Sequence, residues 1–250
     1  MGRNPNEALL RDAGDRMLAV VSPGAYWAAV VVGAAGCALL CYEARRRPGP
    51  WTRNAARVLG TLLAADAVVY ATGKSISGWS ASTSLPLSLC DVASLVAAAA
   101  CWWPRPILAE LTYFWGLAGT LQAVATPDVA TPFPHLAFIE YVVGHVGIVV
   151  AALFLVIGLR RVPRPGAVPK VFAITVAYTA FVGIIDAATG ADYMFLRRPP
   201  SEWTLLRILG PWPWYIVSAA GVAVILLLLL DSPFWLSQRR SQGGRVGFRP

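Results

Sequence analysis

Charge is scarce in this chain. Asp, Glu, Lys and Arg make up 14% of its 250 residues, against about 25% in an ordinary soluble domain. Hydrophobic residues reach 57% and the mean hydropathy is +0.58. Together these exclude a soluble enzyme, a disordered tail and a nucleic-acid module. Histidine is scarcer still, with His135 and His145 alone. Two imidazoles and four scattered thiols are too few for a zinc site, and no metal or other cofactor is expected. The same count excludes the three-histidine zinc lipid hydrolases. No CxxC pair, HExxH, GxSxG, Walker or dinucleotide fingerprint occurs, which removes a disulfide framework and the common nucleotide and hydrolase motifs. The last apolar run lacks lysine, so a retinal Schiff base of the usual seven-helix kind is excluded too. Internal repeats are absent.

What the chain has in quantity is apolar runs of roughly 17–25 residues, the length a helix needs to cross a ~30 Å hydrocarbon layer. Seven are read: 24–42, 55–71, 85–103, 107–125, 136–159, 171–188 and 212–230. This is an all-α, polytopic membrane protein, a bundle of about seven transmembrane helices. A polar segment (1–23) precedes the bundle (24–231), and a basic tail (232–250) follows it. The first apolar run can itself span, so no cleaved leader is expected. In the first span, Gly33, Ala34, Ala35 and Gly36 suit close helix packing. The Leu226–Leu230 run in the last is read as lipid-facing.

The net charge of +8 is read through its distribution. With the N-terminus outside, the inner side holds Arg45, Arg46, Arg47, Arg53, Arg105, Arg160, Arg161, Arg164, Lys170, Arg239, Arg240, Arg245 and Arg249. The outer side holds Arg3, Arg11, Arg16, Lys74, Arg197, Arg198 and Arg207. Thirteen against seven favours a multi-pass cell-membrane protein with its N-terminus outside and C-terminus cytoplasmic. Membrane lipids, not nucleic acid, are the expected partners; the oligomeric state is left open.

Hydropathy explains the spans but not the ionisable groups inside them. A charge near the bilayer centre costs about 2.5–3.5 kcal/mol on insertion scales, so such residues are functional candidates by default. Asp66, Asp91, Glu140 and Asp186 fall in the outer halves of their spans under this orientation. Glu110 falls in an inner half, within reach of Arg105 or Arg57. Asp66 and Asp91 are expected to face the interior, with the second, third and fifth spans as mutual neighbours around one polar cavity.

Cys90 differs from the other thiols. It lies in the first turns of a helix, where the backbone dipole favours a thiolate. Asp91 follows it, and His145, about 14 Å into the fifth span, offers a base. Cysteine with histidine is the smallest pair that makes a nucleophile. The competing reading is a small hydrophobe and a satisfied core histidine. Cys37, Cys41 and Cys101 lack this context and are read as packing. Gln122, Thr126, Asp128 and Tyr193 fall at the outer rim and are candidate substrate contacts. Trp212, Trp214 and Tyr215 are read as interfacial anchors, and His135 as a cap residue.

Several longer motifs point further: LPLSLC (85–90), ELTYFWGLAGTLQAVATPD (110–128), FPH (133–135) with His145, DYMFLRRPP (192–200) and LGPWPWY (209–215). In this order, over roughly residues 55–230, the chain resembles the YwaF-type bacterial integral membrane family. That family is similar in turn to the eukaryotic transmembrane protein 164 branch, a lipid acyltransferase using cysteine and histidine on neighbouring helices. More distantly, it resembles the androgen-induced membrane hydrolases, which use threonine and histidine on fatty-acyl esters. The resemblance implies Cys90 as nucleophile and His145 as its base. Members often carry histidine where this chain has Ser88.

The expected function is therefore a cysteine-dependent acyltransferase or hydrolase acting on lipid acyl esters in the outer half of the membrane. Cys90 and His145 would carry the chemistry, with Asp66, Asp91, Glu140 and Asp186 in support. The alternative is a lipid or small-molecule transporter or binding protein without a covalent step. A purely structural scaffold is a weaker third, having no use for four buried acids.

Overall fold

A computed structural model describes the backbone of residues 5–76, 78–127, 131–198 and 208–246, and side chains within 24–236. Seven helices occur among the described residues. They are α1 (Pro5–Arg46), α2 (Pro50–Ile76), α3 (Leu89–Trp102), α4 (from Pro106), α5 (from Leu136), α6 (Ala167–Thr189) and α7 (Trp214–Val246). α4 is α-helical over Pro106–Phe114, π-helical over Trp115–Thr120 and α-helical again over Leu121–Ala125. α5 is regular over Leu136–Leu153 and closes with a π-turn at Phe154–Gly158. Five helices are long and apolar enough to cross a membrane: α2, α5, α6 and the stretches Gly24–Arg46 and Trp214–Leu236. No strand occurs among the described residues. The protein is an all-α, polytopic membrane protein.

α5 is the hub. It packs on α1, α2, α3 and α4, while α6 and α7 pack on the far side of α4. α2, α3 and α5 are mutual neighbours, as their polar residues led one to expect. Missing side chains bring the axes together, because in lipid the helices associate through close packing. A Cβ on Gly60 would meet Cys101 and the Ala98 carbonyl within 3 Å, and one on Gly147 would strike Leu63. In the small-residue patch of α1 only Gly33 works this way, against Val146; Ala34, Ala35 and Gly36 are exposed. Cys37, Cys41 and Cys101 are buried in the core, where the first two point their thiols at the Val150 and Leu153 carbonyls.

Several boundaries shift from the hydropathy reading. The third helix begins at Leu89, not 85, so Pro86 lies before it. The cause is local: the Ser88 N–H is held by the Asp91 carboxylate at 3.2 Å, half of a capping box. α6 extends to Ala167–Thr189 between Gly166 and Gly190, both left-handed. Gly190 ends the helix in the conformation glycine adopts without a Cβ penalty. α7 continues well past Leu230. Its leucine run is not all lipid-facing, since Leu227 is buried and the Leu230 carbonyl accepts from Tyr113.

The expected partners of Glu110 are also corrected. Arg57 lies over the Trp102 ring instead. Glu110, 2% exposed, is gripped by Arg164 through Nε at 2.7 Å, NH2 at 3.0 Å and the backbone N–H at 3.1 Å. A carboxylate buried this deeply persists only with its oxygens satisfied.

Candidate functional site

Cys90 is the second residue of α3, shallower than the sequence reading had it. Two tyrosines hold the extended segment that delivers it. Tyr193 accepts from the Leu85 N–H at 2.9 Å and donates to the Ala81 carbonyl at 3.0 Å. Tyr178 donates to the Leu87 carbonyl at 2.8 Å. The Tyr193 hydroxyl is thus engaged with backbone on both its donor and acceptor sides. Tyr193 sits in a short 3-10 turn with Met194 and Phe195 at positive φ, anchored from below by Asp186. That carboxylate is buried, and its Oδ1 accepts the Tyr193 N–H at 3.0 Å. Tyr215, read as an anchor, is instead buried and donates to the Phe195 carbonyl. Trp212 and Trp214 are exposed.

The Cys90 thiol meets Thr120, whose hydroxyl lies 4.0 Å from Sγ. Thr120 is buried and closes the π-helical stretch of α4. One turn earlier, Gly116 lets α5 approach, with Ile148 and Ala152 against it. π-segments widen a helix by one residue per turn and recur at functional sites. The sequence reading missed Thr120. The small-residue run around it, GLAGT, was the only signal available.

His145 comes toward α4 from α5. Tyr141, His145, Ile148 and Ala152 recur at the spacing of one helical stripe. Tyr141 donates to the Ala123 carbonyl at 2.9 Å, and Ile148 lies against Gly116. The stripe therefore faces α4. In this antiparallel register His145 lies at the level of Gly119 and Thr120. Its Nδ1 is 2.8 Å from the Tyr141 carbonyl, and its ring stacks on Tyr141 at 4.1 Å. A carbonyl can only accept, so Nδ1 carries the proton and a neutral ring keeps the Nε2 lone pair free. No hydrogen bond joins Cys90 to His145 directly among the described contacts. Thr120 is the α4 side chain that meets the thiol.

The acids gather along a different seam. Asp66 comes so close to α5 that a Cβ on Gly144 would sit 3.0 Å from Oδ2. Glu140 lies one turn before Gly144 on the same helix. Asp66, Asp91 and Glu140 are all partly buried. The structure thus separates the thiol–imidazole seam along α4 from a carboxylate seam between α2 and α5. Gln122 and Thr126 are exposed and bonded back to their own helix, at the Ala118 and Gln122 carbonyls. Asp128 lies outside the described residues. Two buried oxygens lack any partner among the described residues, Ser94 Oγ, one turn along α3 from Cys90, and Asp186 Oδ2.

A profile of the TMEM164 family matches residues 20–231. The chain belongs to the TMEM164 family. That match reaches into all seven helices and includes both residues, Cys90 and His145, singled out by the resemblance. No curated protein and no solved structure matches the chain significantly.

Proposed function

We propose that this TMEM164-family protein is a cysteine-dependent acyltransferase or hydrolase of lipid acyl esters, with Cys90 as nucleophile and His145 as base. The observation that carries the reading is the Thr120 hydroxyl at the Cys90 thiol, in register with the His145 stripe across α4. His145 takes the thiol proton through Nε2, and Thr120, which donates to Sγ, steadies the thiolate that is left. The sulfur attacks the ester carbonyl, the tetrahedral intermediate collapses to a thioester, and the departing lipid alkoxide takes the proton back from the imidazolium. A lipid hydroxyl or water then attacks the thioester, His145 accepts its proton, and that proton returns to the sulfur. Asp66, Asp91, Glu140 and Asp186 support this site. Asp91 secures the start of α3, Asp186 the turn that clasps residues 81–85, and Asp66 with Glu140 polarise the adjoining seam. Gln122 and Thr126, both exposed, are the headgroup contacts at the rim, while Tyr193 acts through the segment it holds.

The finer kinship is with the YwaF-type bacterial branch, and the orientation is N-terminus outside, C-terminus cytoplasmic. A reporter active only outside the cytoplasm is silent when fused after Pro250 and active within 126–134; the reverse pattern overturns the orientation. For the chemistry, incubation with a lipid ester leaves a hydroxylamine-labile acyl group on Cys90. A Cys90→Ala protein with full turnover removes the enzyme. The carboxylates Asp66 and Glu140 would then favour a transporter, in which the acids matter and the thiol does not.

A further inference from the structure

We propose that the groove between α1 and α2, at the arginine-rich end of the bundle, binds one anionic phospholipid at a site separate from Cys90. α2 alone separates the two places, its 27 residues spanning about 40 Å. The groove exists because α1 and α2, though joined by a short turn, lean on α5 rather than on each other. It encloses about 530 Å³ between Leu39, Leu40, Glu43, Arg47 and Trp51.

Its walls have the polarity profile of a phospholipid. Leu39 and Glu43 lie four residues apart on one stripe of α1, and Arg47, the first residue beyond the helix, extends it through its N–H on the Glu43 carbonyl, about 12 Å from apolar floor to charged mouth. Trp51 closes the mouth, its Nε1 donating to the Arg47 carbonyl at 2.7 Å, and tryptophan settles at headgroup depth. Acyl chains would lie along Leu39 and Leu40, with the phosphate at Arg47.

The charge at the mouth selects the headgroup. Arg45, Arg46, Arg47 and Arg53 face a single carboxylate, Glu43, and the first turn of α2 contributes none. Arg45 is engaged with the Ile157 carbonyl, and Arg46 with the Tyr42 hydroxyl and ring. Arg47 has only a 3.9 Å approach to Glu43, and its side chain is 75% exposed. That separation is too long for a hydrogen bond, so the guanidinium fork remains open to phosphate oxygens. A zwitterionic headgroup brings its own cation to this already positive rim, whereas an anionic one does not. A second groove beside Asn54, Arg57 and Trp102 lacks this feature, because Arg57 already lies on the indole.

Native mass spectrometry of the full-length protein, titrated with phosphatidylglycerol or phosphatidylcholine of the same chains, tests this. One phosphatidylglycerol should saturate first, favoured about fivefold or more. Arg47→Gln should lower phosphatidylglycerol to the level of phosphatidylcholine, and Leu39→Trp, which fills the groove and leaves the charge, should lower both. Arg57→Gln should change neither. Equal phosphatidylglycerol binding by wild type and Arg47→Gln, or undiminished binding by Leu39→Trp, overturns the proposal. Displacement by glycerol phosphate at equal concentration marks a soluble-anion site and overturns the lipid.

Discussion

Glu110 and the pair Asp66 and Glu140 put the same functional group in two opposite circumstances. Glu110 is gripped by Arg164 at three donors. Asp66 lies against Gly144 of α5, one turn from Glu140, and neither carboxylate has a hydrogen-bond donor shown among the described residues. A fully satisfied buried carboxylate rigidifies and specifies packing. A partly buried one left without a donor costs stability, which folds retain where chemistry or binding uses it. The contrast separates residues that hold the bundle together from residues that the bundle holds in place.

The sharpest break of that contrast is at the thiol end. Cys90→Ala and His145→Ala each take acyl transfer from a labelled phospholipid to background, and the double variant is no worse, because the two act as a unit. Thermal midpoints stay close to wild type. An additive double variant would separate the residues and end the dyad.

Thr120 comes next. Thr120→Val keeps the shape and removes the hydroxyl, so acylation of Cys90 falls by about tenfold or more, the worth of a hydrogen bond to a charged group. Thr120→Ser restores most of it. A purely structural Thr120 would give equal rates for Val and Ser once folded protein is normalised.

At the other end the readout reverses. Arg164→Ala leaves a buried carboxylate unpaired and lowers the thermal midpoint by several degrees, while turnover per folded molecule is unchanged. Loss of turnover without loss of stability would erase the distinction drawn above.

The smallest effect is expected of Gly144→Ala. The new methyl displaces the Asp66 carboxylate at little cost, below about 1 kcal/mol, and alters turnover a few-fold. An unchanged rate would remove the α2–α5 acids from the site.

Much of this was legible in the linear chain. The seven helices follow from the apolar runs, though only five are long and apolar enough to cross a membrane, and Cys90 and His145 stood out as a thiol at a helix start and an imidazole in an apolar run. Arg164 was hidden because separation along the chain does not choose a partner: Arg57 and Arg164 stand 53 and 54 positions from Glu110, and only the packing brings Arg164 to it. The start of α3 was misplaced because hydropathy does not register a capping box such as Ser88 and Asp91. Leu227 and Leu230 were taken for lipid-facing because lipid and a leucine-lined interior present the same chemistry to a hydropathy scale.

By itself, then, the sequence determined a helical, polytopic membrane protein and the residue types able to do chemistry in it, since apolar length and the cost of buried charge are local properties. Only the tertiary structure decided which of those residues meet. Helix rotation and register set that, through Gly33, Gly60, Gly116 and Gly147, where the loss of a side chain lets one axis approach another. Those contacts turn the His145 stripe toward α4 and set Asp66 against Gly144. No periodicity along one helix encodes such a choice, because it depends on the shape of the neighbour.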